Sequence, residues 1–258
     1  MNDQLGDELQ LNERQSRIVE RVEQQGFVTI DALARDFAVS AQTVRREIIR
    51  LDELGVIQRF HGGAGRGGSG ERLSYEAKKT RELDAKQRIG AAMAALVQPG
   101  QSVFLDVGTT AEATATALLA CMSLTVVTAC ATNAHILAAN AGIEIILTGG
   151  RILGHDLSMA GPIALRTVSG YRFDWAIIAC SGIEANGAVL DFDADKVALK
   201  QCAMSVSGRS ALIADSAKFL RNARLELSRI EQFDVLVTNE ALPRSLAERM
   251  PPNRIVIA

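Results

Sequence analysis

The sequence predicts an α/β protein in two parts, a small helix-turn-helix module with a β-wing followed by a larger, mostly parallel α/β domain. Three observations carry this. Residues 40–51 form an amphipathic helical stretch that follows another short helical segment after only a few residues. Residues 56–63 alternate apolar and polar side chains and end in paired glycines. From about residue 84 onward, short continuous apolar runs alternate with helical segments, the pattern of strands covered on both faces.

The totals allow this division. The chain has 258 residues, room for one small module and one medium domain. Its hydrophobic fraction of 48% supports a sizeable core, and its net charge of -2 excludes a protein coated in basic charge. A reader of specific DNA sequence needs only a local positive stripe. Arg45, Arg46, Arg50, Arg59 and Arg66 supply one between residues 40 and 66, where acids are fewer. Cys121, Cys130, Cys180 and Cys202 stand alone, without metal-ligand spacing. Cys130 and Cys180 read as buried free thiols in a reducing compartment. The polar N-terminus is unlike a signal peptide and no apolar run reaches membrane-spanning length, so a cytoplasmic chain with no membrane partner is expected. No metal, cofactor or catalytic residue is expected.

In the first module, Asn12 followed by Gln15 resembles a helix start, with Ile18, Val19 and Val22 on the apolar side and Gly26 as the stop. Residues 27–30 suit a short strand, and residues 30–37 a second helix carrying Leu33, Ala34 and Phe37 inward. Ser40 is placed to cap the next helix, whose Val44, Ile48 and Leu51 form a buried stripe. Gln42 and Arg46 point away from that stripe, with Thr43, Arg45 and Arg50 on its shoulders. These groups suit base edges and phosphates at the helix end that enters a major groove. Arg59 and His61 lie in the wing, placed for phosphate or minor-groove contact. The DNA-contacting set is therefore Ser40, Gln42, Thr43, Arg45, Arg46, Arg50, Arg59 and His61. Residues 11–64 form this module and residues 65–80, opening on a glycine-rich run, a flexible linker.

Residues 81–258 form the second domain. Helices are expected near 84–96, 111–120 and 131–140, and strands at 102–106, 124–128, 143–147, 175–179, 211–214, 235–238 and 255–257. Ligands of such sheets bind beyond the carboxyl ends of the strands, and the distinctive polar loops are expected at those ends. Asp106, Gly108, Thr109 and Thr110 turn from strand into helix, offering helix-start amides and hydroxyls to an anion. Gly149, Gly150 and Arg151 follow another strand. Asp191 and Asp193 lead into a helix bearing Lys200, and Asp215 and Lys218 end a further strand. Four such loops on one edge suggest a site for a small, hydroxylated, phosphorylated molecule, with Lys200 and Lys218 supplying positive charge.

These motifs carry a family resemblance. Val39-Ser40, the run from Gln42 to Glu47, Leu51, Leu54-Gly55 and the run from Arg59 to Ala64 resemble the DNA-binding signature of the DeoR/GlpR family of bacterial transcriptional regulators. Asp106 with Gly108-Thr109-Thr110, Gly149-Gly150, Ser181-Gly182-Ile183, Gly187, the run from Leu190 to Asp193, Lys200 and Asp215-Ser216 with Lys218-Phe219 resemble its effector domain. The resemblance implies a ribose-5-phosphate isomerase-like fold for that domain. It also implies a repressor that binds double-stranded operator DNA and responds to a phosphorylated polyol or sugar. The Leu190–Asp193 run and the stretch around Lys218-Phe219, Arg221, Asn222 and Ala223 are most similar to the glycerol-3-phosphate repressor branch. Departures are Lys196 where the family usually has an acid, Leu220 for a common glycine, and Ala129-Cys130 where Asn or Ser is usual. A phosphosugar isomerase-like enzyme carrying a DNA-binding module stays open as an alternative, since Asp106, Asp193 and Lys200 could serve its chemistry. An architectural protein without effector leaves the Gly108-Thr109-Thr110 loop unexplained. A homo-oligomer, dimer or tetramer, is expected because one winged helix reads only a half-site.

Overall fold

The computed structural model describes residues 11–258 apart from 26, 54–55, 61–62, 67–74, 76–77, 79–81 and 155. The chain divides into two compact units, Met1–Ser74 and Tyr75–Ala258.

The first unit opens with α1 (Glu13–Gln25), β1 (Phe27–Thr29), α2 (Ile30–Asp36) and α3 (Ala41–Glu53). Reciprocal bonds start α1: the Gln15 amide donates to Asn12 Oδ1 at 2.9 Å, and the Asn12 amide to Gln15 Oε1 at 3.0 Å. Thr29 caps α2 by accepting from the Ala32 amide. Ser40 Oγ accepts from the Thr43 amide at 3.1 Å and so caps α3. Ile18, Val22, Leu33, Val44, Ile48 and Leu51 are fully buried and hold the three helices on one core. The wing is a hairpin of β2 (Ile57–Phe60) and β3 (Gly63–Arg66), with β1 pairing antiparallel on the far side of β3. Strand β3 thus runs past residue 64, into the stretch read as linker.

The second unit is built on a seven-stranded sheet. Its strands are β4 (Ser102–Leu105), β5 (Leu124–Thr128), β6 (Ile143–Leu147), β9 (Phe173–Ala179), β12 (Ser207–Ile213), β14 (Val235–Thr238) and β15 (Ile255–Ile257). All pair in parallel, in the order β15-β14-β12-β9-β4-β5-β6. Successive side chains alternate between two cores: Val103 and Leu105 pack on one face, Phe104 on the other. The first face is covered by α4 (Leu83–Ala94) and α5 (Thr109–Leu118), through Ile89, Met93, Ala111, Ala115 and Leu118. The opposite face is covered by α7 (Pro162–Ser169) and α8 (Ala194–Ser205), through Ala164, Val168, Val197 and Ala203. A further helix, α6 (Ala131–Leu137), follows β5.

Two antiparallel pieces were not anticipated from sequence: the hairpin of β7 (Arg151–Leu153) and β8 (Ser158–Ala160), and a small sheet of β10 (Gly182–Ile183), β11 (Ala188–Asp191) and β13 (Leu225–Arg229). From β4 the chain steps through β5 to β6 on one side, and through β9, β12, β14 and β15 on the other. The sheet therefore reverses its winding between β4 and β9, the position where open α/β sheets leave a crevice.

Candidate DNA interface and effector site

Helix α3 presents Gln42, Arg45, Arg46 and Arg50 to solvent, with Thr43 half-buried. Ser40 is exposed, and its Oγ lies 2.9 Å from Thr43 Oγ1, so these two hydroxyls act first on each other. Glu47, on the same helix, turns inward and was missed from sequence. Arg14 binds its Oε1 at 2.5 Å and Gln15 Nε2 its Oε2 at 2.7 Å, locking α3 to α1. Burial works to raise the pKa of Glu47, but these two partners outweigh it and hold the carboxyl below its ordinary value. The orientation of the arginine-bearing face is thus fixed by a charge pair as well as by apolar packing. Arg59 stands in β2 opposite Ala64, and His61 lies outside the described residues.

In the second unit, Asp106 follows β4 at the winding reversal and is 2% exposed. Its Oδ2 accepts from the Ala179 amide and from Lys200 Nζ, both at 2.9 Å, joining the ends of β4 and β9. Lys200 also donates to Asp191 Oδ2 at 2.5 Å and to the Ala179 carbonyl at 2.8 Å. An ammonium has three N–H donors, and all three of Lys200 are used. Asp191 Oδ1 accepts in addition from Ser181 Oγ at 2.9 Å and the Phe192 amide at 2.8 Å. Burial alone would push Asp191 up; Lys200 and these donors overcome it and hold the carboxyl well below the usual carboxylate range. Asp106 shares the same ammonium, and burial pushes it above its ordinary value. Lys200, also buried, is held well above the ordinary lysine value by the two carboxylates. This buried triad bears on two expectations. The three N–H groups of Lys200 are taken by Asp106, Asp191 and the Ala179 carbonyl, and Asp191 reaches the group from the small antiparallel sheet, not from a strand end of the main one.

What faces outward is the start of α5. Gly108, its N-cap, has φ +117°, and the space a Cβ would fill there is open. Thr109 is half-buried and Thr110 buried. The helix therefore presents its first amides and a hydroxyl beside the β4–β9 crevice. Lys218, half-buried in the turn after β12, makes no ion pair among the described residues; its charge reaches the Cys180 thiol at the end of β9. That thiol is nonetheless pushed up to about 12 by burial and stays protonated at neutral pH. Asp215 is buried and accepts from the Ala217 amide at 3.1 Å, so it shapes the turn that carries Lys218. Asp193 caps α8 through the Lys196 amide.

Gly149 and Gly150 follow β6 at φ +72° and +110°, and a Cβ on Gly150 would meet the Ala160 carbonyl at 2.9 Å. They turn the chain into the β7–β8 hairpin, where Arg151 is exposed. Because β6 and β12 are four strand steps apart, their ends are separated by roughly 19 Å. One small ligand cannot bridge Gly149 and Asp215 through the sheet edge alone. The hairpin narrows the gap: the Met159 amide donates to Ala129 O and the Ala131 amide to Leu157 O, over the end of β5. Its turn then meets α8, where Lys196 pairs with Asp156 at 2.5 Å. Lys196, the family departure, is thus the anchor of this arch. Two more residues escaped the sequence reading. Asn133 Nδ2 donates to the Asp106 carbonyl at 2.7 Å, and the Tyr75 hydroxyl donates to Glu112 Oε1, one turn into α5, at 2.9 Å.

Comparison with known proteins bears on both units. A model of the DeoR C-terminal sensor domain matches residues 81–240, and one of the DeoR-like helix-turn-helix domain matches residues 14–68. The chain belongs to the DeoR family. It is similar to the HTH-type transcriptional repressor CsqR of Escherichia coli (strain K12), with 33% identity over 250 residues, 97% of this chain and 96% of that one. It is also similar to the glycerol-3-phosphate regulon repressor of the same organism, with 34% identity over 243 residues, covering 94% and 96%. The DeoR-family assignment makes the chain a transcriptional repressor with a DNA-binding helix-turn-helix domain and a sensor domain for a small-molecule effector. Ribose 5-phosphate isomerase A of Methanocaldococcus jannaschii aligns with a TM-score of 0.39 at 11% identity, over 54% of this chain and 55% of that one. No helix among the described residues is long and apolar enough to cross a membrane.

Proposed function

We propose that this DeoR-family regulator is a cytoplasmic, oligomeric repressor, dimer or tetramer, released from its operator by a phosphorylated polyol or sugar. Glycerol 3-phosphate is the first candidate, on the likeness to the glycerol-3-phosphate regulon repressor. The observation that carries the reading is the open start of α5 at the winding reversal, where Gly108 leaves room and Thr109 offers its hydroxyl. The phosphate sits against these amides, with Lys218, which makes no ion pair among the described residues, as the counter-charge. Thr110 and Asp106 position the loop from behind. Gly149, Gly150, Arg151 and Asp193 border the arch through which the polyol end enters.

The chain is not an enzyme in this reading. A general base must be able to take a proton near neutral pH. Of the three candidates, Lys200 is held protonated between two carboxylates, Asp106 is engaged by Lys200 and the Ala179 amide, and Asp193 caps α8.

Calorimetry of the full chain with glycerol 3-phosphate, fructose 6-phosphate and glycerol, followed by gel shifts with operator DNA, tests the proposal. The phosphorylated compound should bind and weaken the DNA complex, and glycerol should do neither. Binding of glycerol alone, or of none of the three, would sink the phosphate site.

A further inference from the structure

In the first unit Ile49, on α3, leaves a large hydrophobic side chain exposed, at 36%. On the opposite side of α3, Val44, Ile48 and Leu51 are fully buried in the core of that unit. The position of Ile49 is specific. With about 100° of rotation per residue, Gln42, Arg45, Arg46 and Ile49 fall within an arc of about 100° on α3, opposite the buried Val44, Ile48 and Leu51. Gln42, Arg45 and Arg46 are the side chains best suited to base edges and phosphates. Ile49 has nothing to offer either by hydrogen bonding.

A lone exposed isoleucine beside Arg45, Arg46 and Arg50 is far too small an apolar surface to form the core of a protein interface. The three arginines fit a polyanion. On the floor of a major groove the one apolar feature is the 5-methyl group of thymine. Isoleucine is branched at Cβ and stiff about χ1, so it can hold a fixed surface toward that methyl without ordering a long chain. We infer that Ile49 is a specificity-determining residue, which reads the 5-methyl group of a thymine in the operator.

The test needs an operator, which selection from a randomised duplex pool by the full chain supplies. Each thymine of the selected duplex is then replaced singly by deoxyuridine, which deletes the methyl and keeps every hydrogen-bonding group. Wild-type protein should lose about fourfold in affinity at one thymine of each half-site, the effect of returning one methyl-sized group to water. Ile49→Ala should bind the parent duplex about fourfold more weakly and show no further loss at that same position. Ile49→Val, which keeps the branch at Cβ, should retain most of the discrimination. Melting curves identical among the three proteins confirm that the exposed substitution leaves the fold alone. The inference is overturned if no thymine responds in the wild type, or if the response persists unchanged in Ile49→Ala. Because binding to the parent duplex is measured in every case, failure here is distinct from failure to bind DNA.

Discussion

The ammonium of Lys200 and the carboxylate of Asp106 are both buried and 2.9 Å apart, and this contact joins helix α8 to the end of β4. Asp191 completes the group from β11. Removing the cation leaves two buried carboxylates facing each other. Lys200→Met should therefore destabilise the second unit by about 3–5 kcal/mol, the usual consequence of breaking a buried ion pair from one side. Urea denaturation followed by far-UV circular dichroism measures this. A loss below about 1 kcal/mol would mean that the carboxylates find protons or water without strain.

Lys218 should behave in the opposite way. It is half-buried and makes no ion pair among the described residues, so Lys218→Ala should change stability by no more than about 0.5 kcal/mol. Its loss should weaken glycerol 3-phosphate binding by about 10- to 100-fold, as expected for a charge-assisted hydrogen bond of about 1.5–3 kcal/mol. Calorimetry on the variant decides it: undiminished affinity would assign the phosphate's counter-charge elsewhere.

This contrast marks where sequence reading succeeds and where it stops. All seven parallel strands are legible, because strands buried on both faces are continuous apolar runs, as in residues 124–128 and 235–238. The capping pair Asn12–Gln15 and the cap at Ser40 are equally legible, since their partners lie three residues away. Strands β7, β8 and β10 are only two or three residues long and carry no readable period. Lys200 and Lys218 look alike in sequence. Only the fold gives the first its two carboxylates and, among the described residues, leaves the second without an ion pair. Glu47 was likewise unreadable, because its partners Arg14 and Gln15 come from a different helix.

Arg45 and Arg46 project from α3 into solvent. Replacing either with alanine should weaken operator binding by about 1–3 kcal/mol where the arginine reads a base, with relaxed specificity at that position. Where it grips phosphate, operator and random duplex should weaken together. Gel-shift titrations on both duplexes separate the cases, and unchanged affinity of both variants would remove α3 from the DNA interface.

The Asp156–Lys196 pair makes the arch sensitive to acid. Burial opposes ionisation of Asp156, but Lys196 and Ser158 prevail and hold its carboxyl below the ordinary value of 3.8. A depressed folded value contributes stability that is present above the unfolded value and lost as pH falls through the folded one. Wild type should therefore exceed Asp156→Asn in stability by a constant margin from pH 7 down to about 4, and the margin should shrink below that. Denaturation midpoints of the two proteins between pH 7 and 2.5 test the sign. A margin that grows in acid would contradict the ion pair.

The switch itself is tested at Thr109. Its side chain is half-buried at the open start of α5, and helix-start amides alone can still receive an anion after the hydroxyl is gone. Thr109→Ala should then bind glycerol 3-phosphate more weakly without losing it altogether, and should bind operator as tightly as wild type. A ligand shifts the DNA-bound state only as far as its affinities for the free and bound forms differ. For wild type that coupling should be about 1–3 kcal/mol, roughly 5- to 150-fold in operator affinity at saturating ligand. Reciprocity then requires operator DNA to weaken ligand binding by the same factor. If Thr109 only helps to hold the phosphate, the variant needs more ligand but reaches the same maximal effect. If its hydroxyl distinguishes the two forms, the maximal effect itself shrinks. Gel shifts across a ligand series, paired with calorimetry in the presence and absence of operator, measure both quantities. Tighter ligand binding by Thr109→Ala, or loss of operator binding without ligand, would place the hydroxyl outside the sensor and inside the fold's support.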